Sequence, residues 1–238
     1  MKIVFSDLDG TLLLKNETKI NRKIKNSIYS LLESGINFVV SSGRTYVELK
    51  YFFKEFENDI FFSANYGALV VYKEQTLYNL AINTTEFCNA EKFAAHGKYI
   101  TYVCTKDRLL MRNIIKQHNG HTIQIDSAKE ICEPIYKLTD YDMSLNYNLL
   151  QVYSDATMKE YANPNVNKGE SASKILAHLN LKAADAIAFG DNIIDISLFE
   201  ACGKSYAVAN ALPKVKKAAD AITRDIAEDM KKLSQRRN

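Results

Sequence analysis

The sequence predicts an α/β protein, a parallel-sheet core interrupted by an inserted α+β segment. Three observations predict it. Residues 2–6, 36–40 (INFVV) and 186–189 (AIAF) are short continuous apolar runs of the kind that form strands buried on both faces. Helical stretches follow the first two runs, and alternating strand and helix implies parallel strands joined by right-handed crossovers. The alternation stops near residue 83 and resumes after Asn167, so the core is split in sequence.

Each element has its own signal. After the strand at 2–6, Ile20, Ile24, Ile28, Leu31 and Leu32 recur at helical spacing, and Gly35 is placed to cap that helix. The strand at 36–40 leads to an aromatic-rich helix over 46–57 and a third strand at 60–62. Residues 68–82 predict two short strands with a turn near Lys73–Gln75. The middle block carries strand-like segments at 98–104, 121–125 and 149–154, and helical stretches near 85–95, 107–118 and 140–148. Beyond it, Ala172, Ile175, Leu176 and Leu179 form a helix stripe. After the strand at 186–189 come a strand at 205–208, a helix at 212–219 with Asn210 as its N-cap, a strand at 220–223 and a last helix at 225–234. The expected boundaries are 1–82 and 161–238 for the core and 83–160 for the insertion.

Composition narrows the class. The chain has 238 residues, 47% of them hydrophobic and 25% charged, ordinary values for a globular protein with a sizeable core. The net charge of +3 is too small to argue for nucleic acid, and the basic run at 231–238 reads as a solvated tail. Cys88, Cys104, Cys132 and Cys202 form no C-x-x-C pair, which fits free thiols in a reducing cytosol. The N-terminal apolar run is broken at Asp7, too early for a signal peptide, and no apolar run approaches the ~20 residues of a membrane span. A cytoplasmic protein without a membrane or nucleic-acid partner is expected. The pair His118 and His121 has only loose metal-ligand spacing.

The chemistry is concentrated at strand ends. Ligands of open parallel sheets bind beyond the carboxyl ends of the strands. Four polar clusters fall there: Asp7 and Asp9; Ser41, Ser42, Gly43 and Arg44; Lys168 and Gly169; and Asp191, Asn192 and Asp195. So many carboxylates in one pocket cannot all stay ionised unaided. Asp7, Asp191 and a backbone carbonyl are hard oxygen ligands suited to Mg²⁺. Lys168 can hold Asp7 ionised and meet a phosphate. Ser42 offers a hydroxyl, and Gly43 lets backbone N–H groups approach an anion. Arg44 either clamps a substrate anion or pairs with an acidic side chain. The set suits phosphoryl transfer with Asp7 as nucleophile. Asp9 would protonate the leaving alcohol and then take a proton from water. That division requires Asp7 to be held low by metal and lysine and Asp9 to titrate high.

DLDGT (7–11), SSGR (41–44), NKG (167–169) and GDNIID (190–195) resemble the four motifs of the haloacid dehalogenase superfamily of phosphohydrolases. Asn65-Tyr66-Gly67-Ala68 resembles the Asn-Gly-Ala of its Cof-type subgroup, and VANALPKVKKAADAIT (208–223) resembles that subgroup's run after the fourth motif. The resemblance implies a Rossmann-like core with a type II α+β cap. It implies Asp7 as nucleophile, Asp9 as acid/base, Ser42 and Lys168 as phosphate ligands, and Mg²⁺ on Asp7, Asp191 and the Asp9 carbonyl. Gly43, Arg44 and Asn192 join the phosphate and substrate contacts, and Thr11 and Asp195 stand behind the ligands. Two positions depart from the pattern. Ile194 replaces the usual Asn, so that either Asn192 supplies the amide or the contact is lost, and Tyr66 is extra.

The expected activity is Mg²⁺-dependent hydrolysis of small phosphate monoesters, sugar phosphates foremost, through an aspartyl-phosphate. The insertion holds only Arg108 and Arg112 between 83 and 160. That argues against the alternative of a phosphomutase, which must bind a second phosphate. A second alternative is a catalytically weak phospho-acceptor or binding protein.

Overall fold

The structure is a computed structural model that describes residues 1–14, 17–83, 101–106, 109–112, 122–124, 133–140 and 148–235; the strands at 101–104, 109–112 and 122–124 are described by their backbone alone. The chain opens with β1 (Ile3–Ser6), α1 (Arg22–Glu33), β2 (Asn37–Ser41), α2 (Tyr46–Phe52), β3 (Phe61–Ala64) and the hairpin β4 (Leu69–Tyr72) to β5 (Gln75–Asn79). It then builds β6 (Thr101–Cys104), β7 (Leu109–Arg112), β8 (Thr122–Gln124), β9 (Lys137–Asp140), β10 (Leu150–Ser154) and β11 (Lys159–Ala162). It closes with α3 (Lys168–His178), β12 (Ala186–Gly190), α4 (Ile196–Glu200), β13 (Lys204–Val208), α5 (Pro213–Ala218), β14 (Ala221–Thr223) and α6 (Ile226–Gln235).

Two sheets result. The first has the order β14-β13-β12-β1-β2-β3-β4-β5, parallel from β14 to β3 and antiparallel through the hairpin. From β1 the early chain winds one way, and from β12 the late chain winds the other. The switch of direction falls between β1 and β12, where doubly wound sheets place their ligands. Both strands are buried throughout, as their apolar runs require. Val4 faces a layer containing Ile24, Ile28 and Met230 of α1 and α6, while Ile3 and Phe5 face Ile175, Leu198 and Val215 of α3, α4 and α5. Phe5 is fully buried, and truncating it to Ala would cost about 3–5 kcal/mol.

The second sheet has the order β10-β11-β9-β6-β7-β8 and is antiparallel except for β7 with β8. Its strand β11 runs to Ala162 and so crosses the 160/161 boundary expected from the sequence. Two hydrogen bonds join the two linkers at the sheet junction: the Ile82 backbone N–H donates to Ile135 O at 2.7 Å, and the Asn163 side-chain Nδ2 to Ala81 O at 2.8 Å.

Several elements differ from expectation. Residues 109–112 form a strand inside the stretch expected to be helical over 107–118. Leu, Met and Arg favour helices, but here pairing to β6 and β8 overrides local preference. The expected helices near 85–95 and 140–148 fall largely outside the described residues, with Asp140 ending β9 instead. The helix expected over 46–57 stops at Phe52 and gives way to a short 3₁₀ turn at 54–56, which turns Phe53 and Phe56 into the core. His118 and His121 lie outside the described residues. No helix among the described residues is long and apolar enough to cross a membrane.

Candidate active site

Asp7 is the first residue beyond β1, and Asp191 the first beyond β12. Asp7 N–H donates to Phe189 O at 3.0 Å, so the ladder between the two strands extends to the acid itself. Lys168 opens α3, whose N-cap Asn167 accepts from Glu170 N–H at 2.7 Å. That cap fixes the first turn, and the lysine runs inward until it is 1% exposed. Its Nζ lies 2.6 Å from Asp7 Oδ1 and 2.6 Å from Asp195 Oδ1.

Asp195 is fully buried and engaged at both oxygens. Its other oxygen accepts from Asp191 N–H and Asn192 N–H at 3.0 Å each, so it ties the lysine to the turn that carries Asp191. Thr11 Oγ1 donates to Asp191 Oδ1 at 3.1 Å. Gly10 has φ +90°, and a Cβ there would stand 2.4 Å from Asp191 Oδ2. The glycine of the first motif is thus required both by its backbone and by the approach of Asp191.

Oxygens of Asp7, Asp191 and Asp195 all lie within 4.8 Å of one another. One ammonium faces three carboxylates, and the titration behaviour follows. Burial pushes the Asp7 carboxyl well above the ordinary carboxylate range, against the pull of Lys168 and with a further push from Asp195. The sequence expectation has a metal and the lysine together hold Asp7 low; with Lys168 as the cation beside it, burial outweighs that pull. Burial and Asp195 also raise Asp191. Burial works against the Lys168 ammonium, yet Asp195 and Asp7 hold its pKa above the usual lysine value. Hard carboxylate oxygens in close company with an unmet need for positive charge are what a divalent cation would satisfy. Asp195 is engaged at both oxygens, by Lys168 and by two N–H groups, while Asp7 and Asp191 each accept a side-chain bond at one oxygen.

The loop after β2 forms another wall. Ser42 is 1% exposed; its N–H donates to Ser63 O at 2.9 Å, and its Oγ accepts from Arg44 N–H at 3.1 Å. The turn at 65–67 is stitched to this loop, since Asn65 N–H donates to Arg44 O and Tyr66 N–H to Ser42 O, each at 2.9 Å. A Cβ on Gly43 would fall 2.4 Å from the Tyr66 ring. The glycine therefore makes room for the extra tyrosine as well as for backbone donors.

Arg44 turns out to be a partner of Asp9. Nε and Nη2 meet Asp9 Oδ2 and Oδ1 at 2.8 and 2.7 Å, with Glu48 Oε1 at 3.5 Å and the Phe52 ring at 4.8 Å. Of the two options left by the sequence, the described geometry has the acidic pairing. Asn192 is exposed, and its Oδ1 accepts from Ile193 N–H at 2.6 Å, which caps the turn; Ile194 packs against the core. The bonds of the central cluster do not include the Asn192 side chain.

Three residues near the site carried no such role in the sequence. Asn210 is not the N-cap of α5, which starts after Leu212; its Nδ2 donates to Gly10 O at 2.8 Å instead. Lys137 of β9 and Glu160 of β11 reach the loop from the second sheet. Lys137 Nζ donates to Gly43 O at 3.0 Å and lies 2.7 Å from Glu160 Oε1, and Glu160 also accepts from Tyr66 O–H at 2.5 Å. The presence of an extra Tyr66 was the one hint available in the sequence.

Comparison with known proteins shows the family. A family model described as haloacid dehalogenase-like hydrolase matches residues 4–162 and 114–230. The chain is 26% identical to YkrA of Bacillus subtilis, with 96% of this chain and 94% of that protein covered. It is 28% identical to phosphoglycolate phosphatase 1 of Saccharolobus solfataricus, with 94% and 89% covered. Among solved structures it resembles the subclass IIB sugar phosphatase BT4131, with TM-score 0.80, 18% identity and coverage of 98% and 99%.

Proposed function

The chain belongs to the haloacid dehalogenase-like hydrolases, and on that ground we propose that it is a Mg²⁺-dependent phosphatase of small phosphate monoesters, sugar phosphates foremost. The observation that carries the reading is the placement of Lys168 between Asp7 and Asp195, with Asp191 beside them, at the switch point of a parallel sheet. Phosphatases among the relatives support the reaction class. The sugar-phosphate preference rests on the lack of a strong basic cluster in 83–160, which suits a substrate with one phosphate and an uncharged polar remainder, and the fold shared with a sugar phosphatase is in keeping with it.

In this reading Lys168 holds one oxygen of Asp7, and the other attacks phosphorus. The bond from phosphorus to the leaving oxygen breaks, and Asp9 gives that oxygen its proton. Asp9, now a carboxylate, takes a proton from a water whose oxygen attacks the phosphoryl group. The bond to Asp7 breaks, and inorganic phosphate leaves. The Ser42 hydroxyl and Lys168 bind the phosphoryl oxygens, with Gly43 N–H as a further donor. A divalent cation held by Asp7, Asp191 and the Asp9 carbonyl would neutralise the surplus carboxylate charge and draw charge from the phosphoryl oxygens. Residues 83–160 act as the cap that covers the leaving group and excludes bulk water.

A phosphate-release screen over sugar phosphates, nucleotides, phosphoglycolate and pyridoxal phosphate, with Mg²⁺ or with EDTA, tests the assignment. Mg²⁺-dependent release from at least one sugar phosphate is expected. Release that is unaffected by EDTA, or none from any ester, would overturn it.

A further inference from the structure

We propose that Lys137 is a positioning residue for phosphate binding, acting through the Gly43–Arg44 peptide on the hydroxyl of Ser42. The proposal rests on the phosphatase reading above, in which Ser42 is a phosphate donor.

The bonds form one directed chain. Lys137 Nζ donates to Gly43 O at 3.0 Å. The N–H of that same peptide, on Arg44, donates to Ser42 Oγ at 3.1 Å. A hydroxyl oxygen that accepts a bond keeps its own hydrogen to give away. Ser42 N–H and C=O are already committed, to Ser63 O and Tyr66 N–H. The hydroxyl hydrogen is therefore the group that residue 42 can still offer to an anion. A cation on the carbonyl end of a peptide polarises its N–H, and hydrogen bonds in series strengthen one another. Both donors in the chain point the same way, from the ammonium towards the Ser42 hydroxyl.

The lysine is built into this place. Its side chain is 8% exposed and that of Glu160 10%, with 2.7 Å between them. Burying two charges is costly unless they are paired and bonded. Glu160 gains further donors in Tyr66 O–H at 2.5 Å and Thr139 Oγ1 at 3.4 Å. Tyr66 has φ +63°, a backbone state that a bulky residue rarely takes, and its ring flanks Gly43. Lys137 and Glu160 belong to β9 and β11 of the second sheet, whereas Gly43, Ser42 and Tyr66 lie at the end of the first. The chain of donors is complete only when the two sheets stand as they do here. Phosphate affinity is thereby coupled to the seating of the second sheet.

The test is calorimetric binding of inorganic phosphate to the full-length protein with Mg²⁺, together with the KM and kcat of p-nitrophenyl phosphate. Lys137→Met is expected to weaken phosphate binding about 5–20-fold and to raise KM by a similar factor, with kcat changed less. Lys137→Arg should restore most of the loss. Glu160→Gln, which keeps the lysine but removes its counter-ion, should weaken binding about 2–5-fold. On a Ser42→Ala background, Lys137→Met should add less than twofold. Equal phosphate affinity in wild type and Lys137→Met, or a full loss persisting on the Ser42→Ala background, would overturn the proposal while leaving the phosphatase reading intact. Failure of the wild type to bind phosphate at all would sink both.

Discussion

Arg44 grips both oxygens of Asp9 in a two-pronged ion pair, 2.8 and 2.7 Å long. A carboxylate held by such a fork accepts at both oxygens and donates at neither. The acid role proposed for Asp9 therefore requires the fork to open during turnover. Arg44 has other seats at hand, on Glu48 and over the Phe52 ring.

Asp9→Asn separates the proton-donor role from the rest of the site. Alkyl phosphates need a proton on the departing oxygen, whereas p-nitrophenolate leaves without one. Hydrolysis of a hexose phosphate is expected to fall about 10²–10⁴-fold, and that of p-nitrophenyl phosphate much less. Equal slowing of the two substrates, measured as kcat, would remove the assignment.

Arg44→Lys keeps the charge but cannot form the fork. The pair is partly exposed, so its melting temperature should move by no more than about 1–2 °C. The ratio of sugar-phosphate to p-nitrophenyl phosphate turnover should shift several-fold, because the orientation of Asp9 changes. An unchanged ratio would show that the fork has no part in presenting the acid.

Lys168→Met leaves Asp7 and Asp195 buried without their cation. Breaking a buried pair from one side costs about 3–5 kcal/mol, far more than the loss of a surface pair. Urea unfolding should show that loss, and hydrolysis should vanish. Asp7→Asn should abolish hydrolysis as well, yet keep most of the stability, because Asp195 still balances the lysine. Equal destabilisation by the two changes would contradict the sharing of Lys168 seen here.

Stability without divalent cation should fall as pH rises. The Asp7 and Asp191 carboxyls titrate above the ordinary carboxylate range when folded, so the folded state binds more protons than the unfolded chain. Their contribution is present below the ordinary carboxylate range and is lost between it and their raised folded values. Melting curves in EDTA should move down with pH through that window. Mg²⁺ should reverse the trend and stabilise more at the higher pH, since ligation needs the ionised form. A shift in EDTA of the opposite sign would refute the crowding of carboxylates around one lysine.

The sequence made the core and the central acids legible for a common reason. Buried parallel strands need unbroken apolar runs, and a polar residue that ends such a run is at the sheet's ligand-binding edge by construction. Asp7 and Asp191 satisfy this, and Lys168 is placed by the helix start beside it. What stayed hidden depends on partners far along the chain. The strand at 109–112 exists through pairing with β6 and β8. Arg44 meets Asp9 across 35 positions, Asn210 meets Gly10 across 200, and Tyr66 meets Glu160 across 94. No local period or spacing encodes such meetings. The crowding of carboxylates is legible in the sequence, but not that burial leads the rise of Asp7, with Asp195 and Asp191 adding to it.

The side-by-side pairing of β1 and β12 bears on how the protein is made. Asp7 leaves the ribosome early, and the lysine that complements it follows 161 positions later, with Asp191 later still. Until the strand at 186–190 docks beside β1, the nascent chain holds Asp7 without Asp191 beside it. On the proposed mechanism, a chain that ends before residue 186 is expected not to hydrolyse phosphate esters, so that competence would arise only late in synthesis.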